Sequence, residues 1–158
     1  MKFADFVCKK AICPKLAATD KPAVVRELVQ SLVDAGEIKA ETFNDVVAAV
    51  LQREELGSTG IGRGVAVPHT KHASVEKLCG AVGVSQGGVD FASLDGDPVH
   101  LLFLLVSPPD RPGDHLRALE NVSRQLRDDQ FCRFLKQSYA SEDIWELLEE
   151  SDRNQYTS

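Results

Sequence analysis

From Val99 to Val106 seven of eight side chains are apolar, His100 being the exception. A membrane helix needs about 20 such residues, so this run is far too short to span a bilayer. Turn-forming residues bound it on both sides, Asp95-Gly-Asp-Pro98 before and Pro108-Pro109 after. A short, unbroken apolar run with such flanks reads as a strand buried on both faces, near the centre of a sheet covered by helices. The rest of the chain has to supply that cover.

The flanking pattern does supply it. Thr19 and Asp20 offer caps for a first helix, Pro22 suits its first turn, and Val25, Leu28, Val29 and Leu32 form one apolar stripe ending at Gly36. A second helix is expected from about Ala40, with Phe43, Val46, Val47, Val50 and Leu51 facing inward. It has to stop near Leu56, because residues 57–64 contain four glycines. Val65-Ala-Val67 reads as extended ahead of Pro68, and Leu78 to Ser85 as a second buried strand. Val89 to Leu94 reads as a hairpin or edge strand. Three helices close the chain. The first, His115 to Arg127, is expected to present Leu116, Leu119, Val122, Ser123 and Leu126 on one face. The second spans about Asp129 to Gln137, and the third is capped by Ser141 with Ile144, Leu147 and Leu148 inward. The order of helices, strands and helices indicates an α/β or α+β sandwich. A chain of 158 residues suits one domain, 1–158, with a core over about 19–150 and a polar, frayed tail over 151–158.

Charge narrows the function. The net charge of −6 argues against a non-specific nucleic-acid binder, which needs cationic surface to displace phosphate counterions. No signal-peptide stretch opens the chain, so a cytoplasmic location without membrane insertion is expected. The four cysteines, Cys8, Cys13, Cys79 and Cys132, show no Cys-x-x-Cys spacing, and Cys79 and Cys132 read as small core residues.

The negative charge is unevenly spread. Residues 56–75 contain no carboxylate, although the overall composition would place about three in twenty residues. The same stretch carries Arg63, His69, Lys71 and His72. Its glycines match neither a P-loop, since Arg63-Gly64 stands where Lys-Ser/Thr should follow Gly62, nor a dinucleotide fingerprint, which follows a strand and opens a helix. A glycine-rich, acid-free loop beside a histidine suits an anionic group held by backbone N–H groups and cations; a plain helix-to-strand connector is the alternative. His115 opens a helix after a proline-rich loop, where it either holds an anion or caps the helix. His72 reads as an exposed loop residue and His100 as a satisfied sheet histidine. His69-x-x-His72 lacks a recognisable third zinc ligand, and no Gly-x-Ser-x-Gly elbow supports a hydrolase.

Glu54 followed by Ile61-Gly-Arg-Gly-Val-Ala-Val-Pro-His69 resembles the active-site signature of type-2 enzyme IIA, the fructose/mannitol/nitrogen class of the phosphoenolpyruvate-dependent phosphotransferase system. Arg53-Glu-Glu-Leu-Gly-Ser-Thr-Gly-Ile-Gly is similar to its nitrogen-regulatory branch, and Asp114 to Asp128 resembles the family's second signature helix. The likeness covers about Thr19 to Glu150. It implies helices on both faces of a mixed central β-sheet and no metal or organic cofactor. It implies that His69 accepts a phosphoryl group from the phosphocarrier HPr, or a nitrogen-branch relative, and passes it to an enzyme IIB or acts as a phosphorylation-dependent regulator. Arg53 and His115 match the supporting arginine and second histidine, and Gly60, Gly62, Gly64 and Thr70 are candidates for the phosphoryl loop. No stretch reads as a IIB or membrane region, which points toward a regulatory output. Two positions depart from the usual pattern: Thr70 follows the histidine where a small residue is common, and Arg63 stands where asparagine or another small polar residue is common. A non-catalytic anion- or protein-binding module on the same fold is the alternative function.

Overall fold

The computed structural model describes residues 1–154. Its centre is a six-stranded mixed sheet of β1 (Val7–Cys13), β2 (Gly60–Gly62), β3 (Val65–Ala66), β4 (His69–Lys71), β5 (Cys79–Val89) and β6 (Val99–Ser107), in the order β1-β5-β6-β3-β2 with β4 also pairing β6. β5 and β6 run antiparallel, whereas β1 joins β5, and β3 and β4 join β6, in parallel. The apolar run foreseen as a central strand is β6, paired on both edges.

Alternation along β6 organises the two layers. Leu102, Leu104 and Val106 pack into one core with Val24, Val25, Leu28 and Leu32 of α1 (Lys21–Asp34) and Val46 and Val50 of α2 (Phe43–Glu55). Leu101, Phe103 and Leu105 face the other core. There they meet Val122 of α3 (Pro112–Gln125), Leu135 of α4 (Asp129–Lys136), and Ile144 and Leu148 of α5 (Ser141–Asn154). Period-2 side-chain alternation is what lets one strand serve two cores. Each of these fully buried side chains contributes about 1.5–3 kcal/mol of burial free energy. The α/β reading with helices on both faces holds.

Local signals set the element ends near the site. The Asp20 carboxylate accepts from Ala23 N at 2.9 Å and so caps α1, and Gly36 leaves it at φ 81°. β3 and β4 are two pieces of one edge interrupted at Pro68, which has no N–H to donate. Its carbonyl still accepts from Leu105 N at 3.0 Å, while Val67 N turns to Thr59 O on the other side. The chain therefore stays on the edge of β6 and delivers His69 opposite Leu105.

Four expectations need correction. The first 18 residues contribute to the core: β1 lies against β5, and Phe3 and Phe6 are buried. β5 runs on through Gly87-Gly88 to Val89, and residues 91–98 are a loop rather than a hairpin or edge strand. The buried face of α3 is His115, Ala118, Asn121 and Val122, while Leu116 is 58% exposed. The tail does not fray at Ser151. α5 runs to Asn154, and the buried Asp152 carboxylate accepts from Phe3 N at 2.6 Å and Ala4 N at 3.0 Å. The remainder of the foreseen tail, 155–158, lies outside the described residues.

Candidate active site

The site forms where β4 leaves the edge of β6 and α3 begins. His69 is half-buried, and its Nδ1 lies 2.8 Å from the Val67 carbonyl oxygen. A carbonyl only accepts, so Nδ1 carries the proton and Nε2 keeps its lone pair. Burial pushes the His69 pKa down; the bond to Val67 opposes this, and the positive charges of Arg53 and Lys71 add to it. The ring is thus held neutral, with one nucleophilic nitrogen and the other tied to the backbone.

The His115 ring lies 5.5 Å from that of His69, tilted by 59°. It is buried in the first turns of α3, and burial, with repulsion from a protonated His69 and from Lys71, pushes its pKa down to about 4. Its Nδ1 meets the Ser107 hydroxyl at the end of β6. The sandwich of β4, β6 and α3 therefore brings together two neutral imidazoles.

Arg53 stands in the last turn of α2, and its Nη1 donates to Gly57 O at 3.2 Å. The neighbouring Glu54 is buried and organises the loop that follows. Its carboxylate accepts from Thr59 N at 3.1 and 3.2 Å, from the Thr59 hydroxyl, and from Lys21 Nζ at 2.9 Å. Thr59 O in turn receives Val67 N, two residues before the histidine. Helix α1, helix α2 and the edge strand are thus joined through one carboxylate.

The glycines lie elsewhere. Val65 pairs with Leu101 and His69 with Leu105, four positions apart on β6, or about 13 Å. At that far end Gly62 pairs with Val65, and Arg63 and Gly64 form the β2–β3 turn between them. Arg63 and Gly64 have φ 58° and 78°, the signs of a two-residue type I′ turn, for which asparagine and glycine are favoured. A side chain on Gly64 would sit 3.2 Å from Lys136 Nζ, and one on Gly60 would be 2.9 Å from Ser93 Cβ. These glycines serve the turn and close packing; the segment beside Arg53 is Gly57-Ser58-Thr59. Arg63 also points away from His69. Its guanidinium donates to Leu126 O at 3.1 Å and Arg127 O at 3.4 Å and pairs with Asp129. The second cation beside His69 is Lys71, which acts on both histidines; it lies two residues after His69 and on the same strand face, whereas Thr70 alternates to the opposite face.

Three residues were missed as site components: Lys71, Ser107 and Lys21. Lys71 was legible from the two-residue spacing on a strand; the other two come from distant elements and had no sequence signal. His72 Nδ1 bonds Ser74 Oγ at 2.7 Å and His100 Nδ1 bonds Ser85 O at 2.9 Å, so neither joins the site. No helix among the described residues is long and apolar enough to cross a membrane.

Fold and site together define a small α/β protein that presents a neutral, nucleophilic imidazole among cations. Residues 5–151 match the family described as phosphoenolpyruvate-dependent sugar phosphotransferase system, EIIA 2, and the chain belongs to that family. A nitrogen regulatory protein of Bradyrhizobium diazoefficiens is 37% identical over 148 residues, covering 94% of this chain and 95% of that protein. The fructose-specific EIIABC component of Bacillus subtilis is 34% identical over 154 residues, covering 97% of this chain but 24% of that longer protein. The crystal structure of the nitrogen regulatory protein IIA-Ntr from Neisseria meningitidis superposes with a TM-score of 0.82 at 28% identity, covering 92% of this chain and 98% of that one. The chain is accordingly a phosphotransferase-system component of the phosphoryl-transfer or regulatory kind.

Proposed function

We propose that His69 Nε2 is the phosphoryl acceptor and donor of a phosphorelay, charged by a phosphorylated HPr-type carrier. The observation that carries this reading is the Nδ1 bond to Val67 O, which leaves Nε2 as the one lone pair of a half-buried ring. The Nε2 lone pair attacks phosphorus in line, the P–N bond on the carrier breaks, and its electron pair returns to the carrier's ring nitrogen. The product ring keeps its Nδ1 proton on Val67 O, which stabilises the positive charge the ring acquires. Loss of the phosphoryl group to an acceptor reverses the same step.

Arg53 offers a planar pair of donors to the phosphoryl oxygens, His115 offers its N–H, and Lys71 adds positive potential. A loose phosphoryl-transfer transition state needs mainly such positioning and charge stabilisation. Leu56, 84% exposed before the Gly57 loop, and Leu116, 58% exposed after His115, provide an apolar rim for a carrier protein. The output is a phosphorylation-dependent regulator or a donor to an enzyme IIB. The regulatory reading draws on likeness over nearly the full length of the Bradyrhizobium nitrogen regulatory protein; the IIB reading draws on likeness to part of a fructose EIIABC component.

The test is to mix the protein with phosphorylated HPr-type carriers and look for one acid-labile phosphoryl group. Wild type takes up the label and His69→Ala does not; equal labelling of the His69→Ala variant refutes the assignment. Pull-downs with phosphorylated and unphosphorylated protein then separate the outputs, since a regulator recovers its partner preferentially in one state.

A further inference from the structure

Ser107 is the last residue of β6, fully buried, and on the strand face that turns toward α3. Every other residue of that face from Leu101 onward is apolar, so the hydroxyl is a deliberate departure: a buried O–H is unfavourable unless it is bonded. Among the described residues the hydrogen-bond partner of its hydroxyl is His115 Nδ1. Its backbone is fastened independently, because Ser107 O accepts from His72 N at 2.9 Å and the residue pairs with Lys71.

Two arrangements fit a hydroxyl against an imidazole nitrogen. If Nδ1 carried the proton, it would donate to Ser107 Oγ, and the serine O–H would have no acceptor among the described residues. If instead the serine donates, both groups are satisfied, because neutral imidazole has one accepting and one donating nitrogen. We propose that Ser107 is a positioning residue that donates its hydroxyl proton to His115 Nδ1, so that His115 Nε2 carries the N–H offered to the phosphoryl group on His69. The inference rests on the phosphorelay reading for its purpose, but the tautomer assignment stands on the hydrogen bonding alone.

The two histidines then hold opposite tautomers. His69 is protonated at Nδ1 by the demand of Val67 O and attacks with Nε2. His115 is unprotonated at Nδ1 by the demand of Ser107 and donates with Nε2. A neutral His115 has a single N–H, which makes its location decisive. A serine also serves the charged state: once a dianionic phosphoryl group stands beside His115 and favours its protonation, the hydroxyl rotates to accept from Nδ1–H. An alanine or valine at the same place fills the core but does neither.

Nitrogen NMR of isotope-labelled protein at neutral pH tests the tautomer without any phosphorylation. The expected spectrum shows His69 protonated at Nδ1 and His115 protonated at Nε2, with the His115 Nδ1 signal shifted toward the hydrogen-bonded-acceptor range. In Ser107→Ala that last shift is lost, and single-turnover phosphoryl transfer at saturating carrier slows about fivefold while the half-saturating carrier concentration is unchanged. Ser107→Cys, with a weak donor of similar size, restores part of both. A wild-type His115 protonated at Nδ1 overturns the proposal, as does a Ser107→Ala variant with an unchanged spectrum and rate. Wild-type protein with the expected tautomers that no HPr-type carrier labels overturns the phosphorelay reading and leaves the Ser107 assignment supported.

Discussion

Replacing Glu54 by alanine removes the carboxylate that joins three elements. In the native protein it accepts from Lys21 Nζ at 2.9 Å, from Thr59 N at 3.1 and 3.2 Å, and from the Thr59 hydroxyl. The Glu54 and Lys21 side chains are 2% and 18% exposed. Alanine leaves the ammonium without its counter-charge and strands two Thr59 donors in a closed space. Removing one member of such a pair destabilises by about 3–5 kcal/mol, more than the pair contributes against an apolar replacement. In a chain of this size that lowers the melting temperature by about 6–20 °C. Glu54→Gln is the sharper probe: it removes the counter-charge of Lys21 and puts an amide donor in place of one of the two oxygens that accept from Lys21 and Thr59, for a loss of about 2 kcal/mol. Urea denaturation of the single variants, of Lys21→Met and of the double variant gives the coupling. Losses in the double variant well below the sum of the singles are expected. A Glu54→Ala variant within about 1 kcal/mol of wild type, or strictly additive losses, refutes the reasoning.

Acidification should destabilise the fold through its histidines. An unfolded histidine titrates near 6.5 and folded His115 near 4, so between these values the unfolded chain binds the additional proton and stability falls as pH drops; for His115 the loss reaches about 3 kcal/mol by pH 4. His69, also lowered, acts in the same direction, and a His115→Gln variant should show a flatter fall between pH 7 and pH 4 in urea titrations. Leu116→Asp should slow transfer from a carrier about tenfold with an unchanged melting temperature, since Leu116 is exposed in the free protein. Arg63→Ala should change stability by no more than about 1 kcal/mol and leave phosphoryl uptake intact, because its guanidinium serves α3 and α4; a drop in uptake as large as that of Arg53→Ala would return the far turn to the site.

The elements that were legible are those whose local and global preferences agree. Asp20, Pro22 and Gly36 mark α1 as it is found, and the run that became β6 carries its own burial on both faces. β1 escaped notice because it is an edge strand with exposed Lys9 and Lys10 at its middle, so no alternation shows. Arg63 was read as a site cation from its neighbours in sequence, but a tight turn separates it from them in space. The α3 helix is the instructive failure. Hydrophobicity alone would turn Leu116 inward; the fold instead rotates it out and buries His115. Such local contradictions are expected where function outweighs packing, and the proposed function would use both halves of this one, the leucine for a partner and the histidine for the phosphoryl group.

The same logic accounts for the charge. A dianionic phosphoryl group is unfavourable near carboxylates, and the chain has 24 of them. Glu54, whose charge reaches His69 and tends to raise its pKa, is paired with Lys21. The cations that act on the histidines, Arg53 and Lys71, are engaged in no ion pair among the described residues, whereas Arg63, Arg111 and Arg117 are paired at other places. The acid-free window over 56–75 thus matters less for the glycines it contains than for what adjoins it. One buried carboxylate is paired with Lys21, so that it can hold the loop without repelling the phosphoryl group of the proposed relay. Two cations are left with their charge available, and two imidazoles stay neutral by burial, so under the proposed phosphorelay the positive potential at the site rises only when a phosphoryl group on His69 draws a proton onto His115.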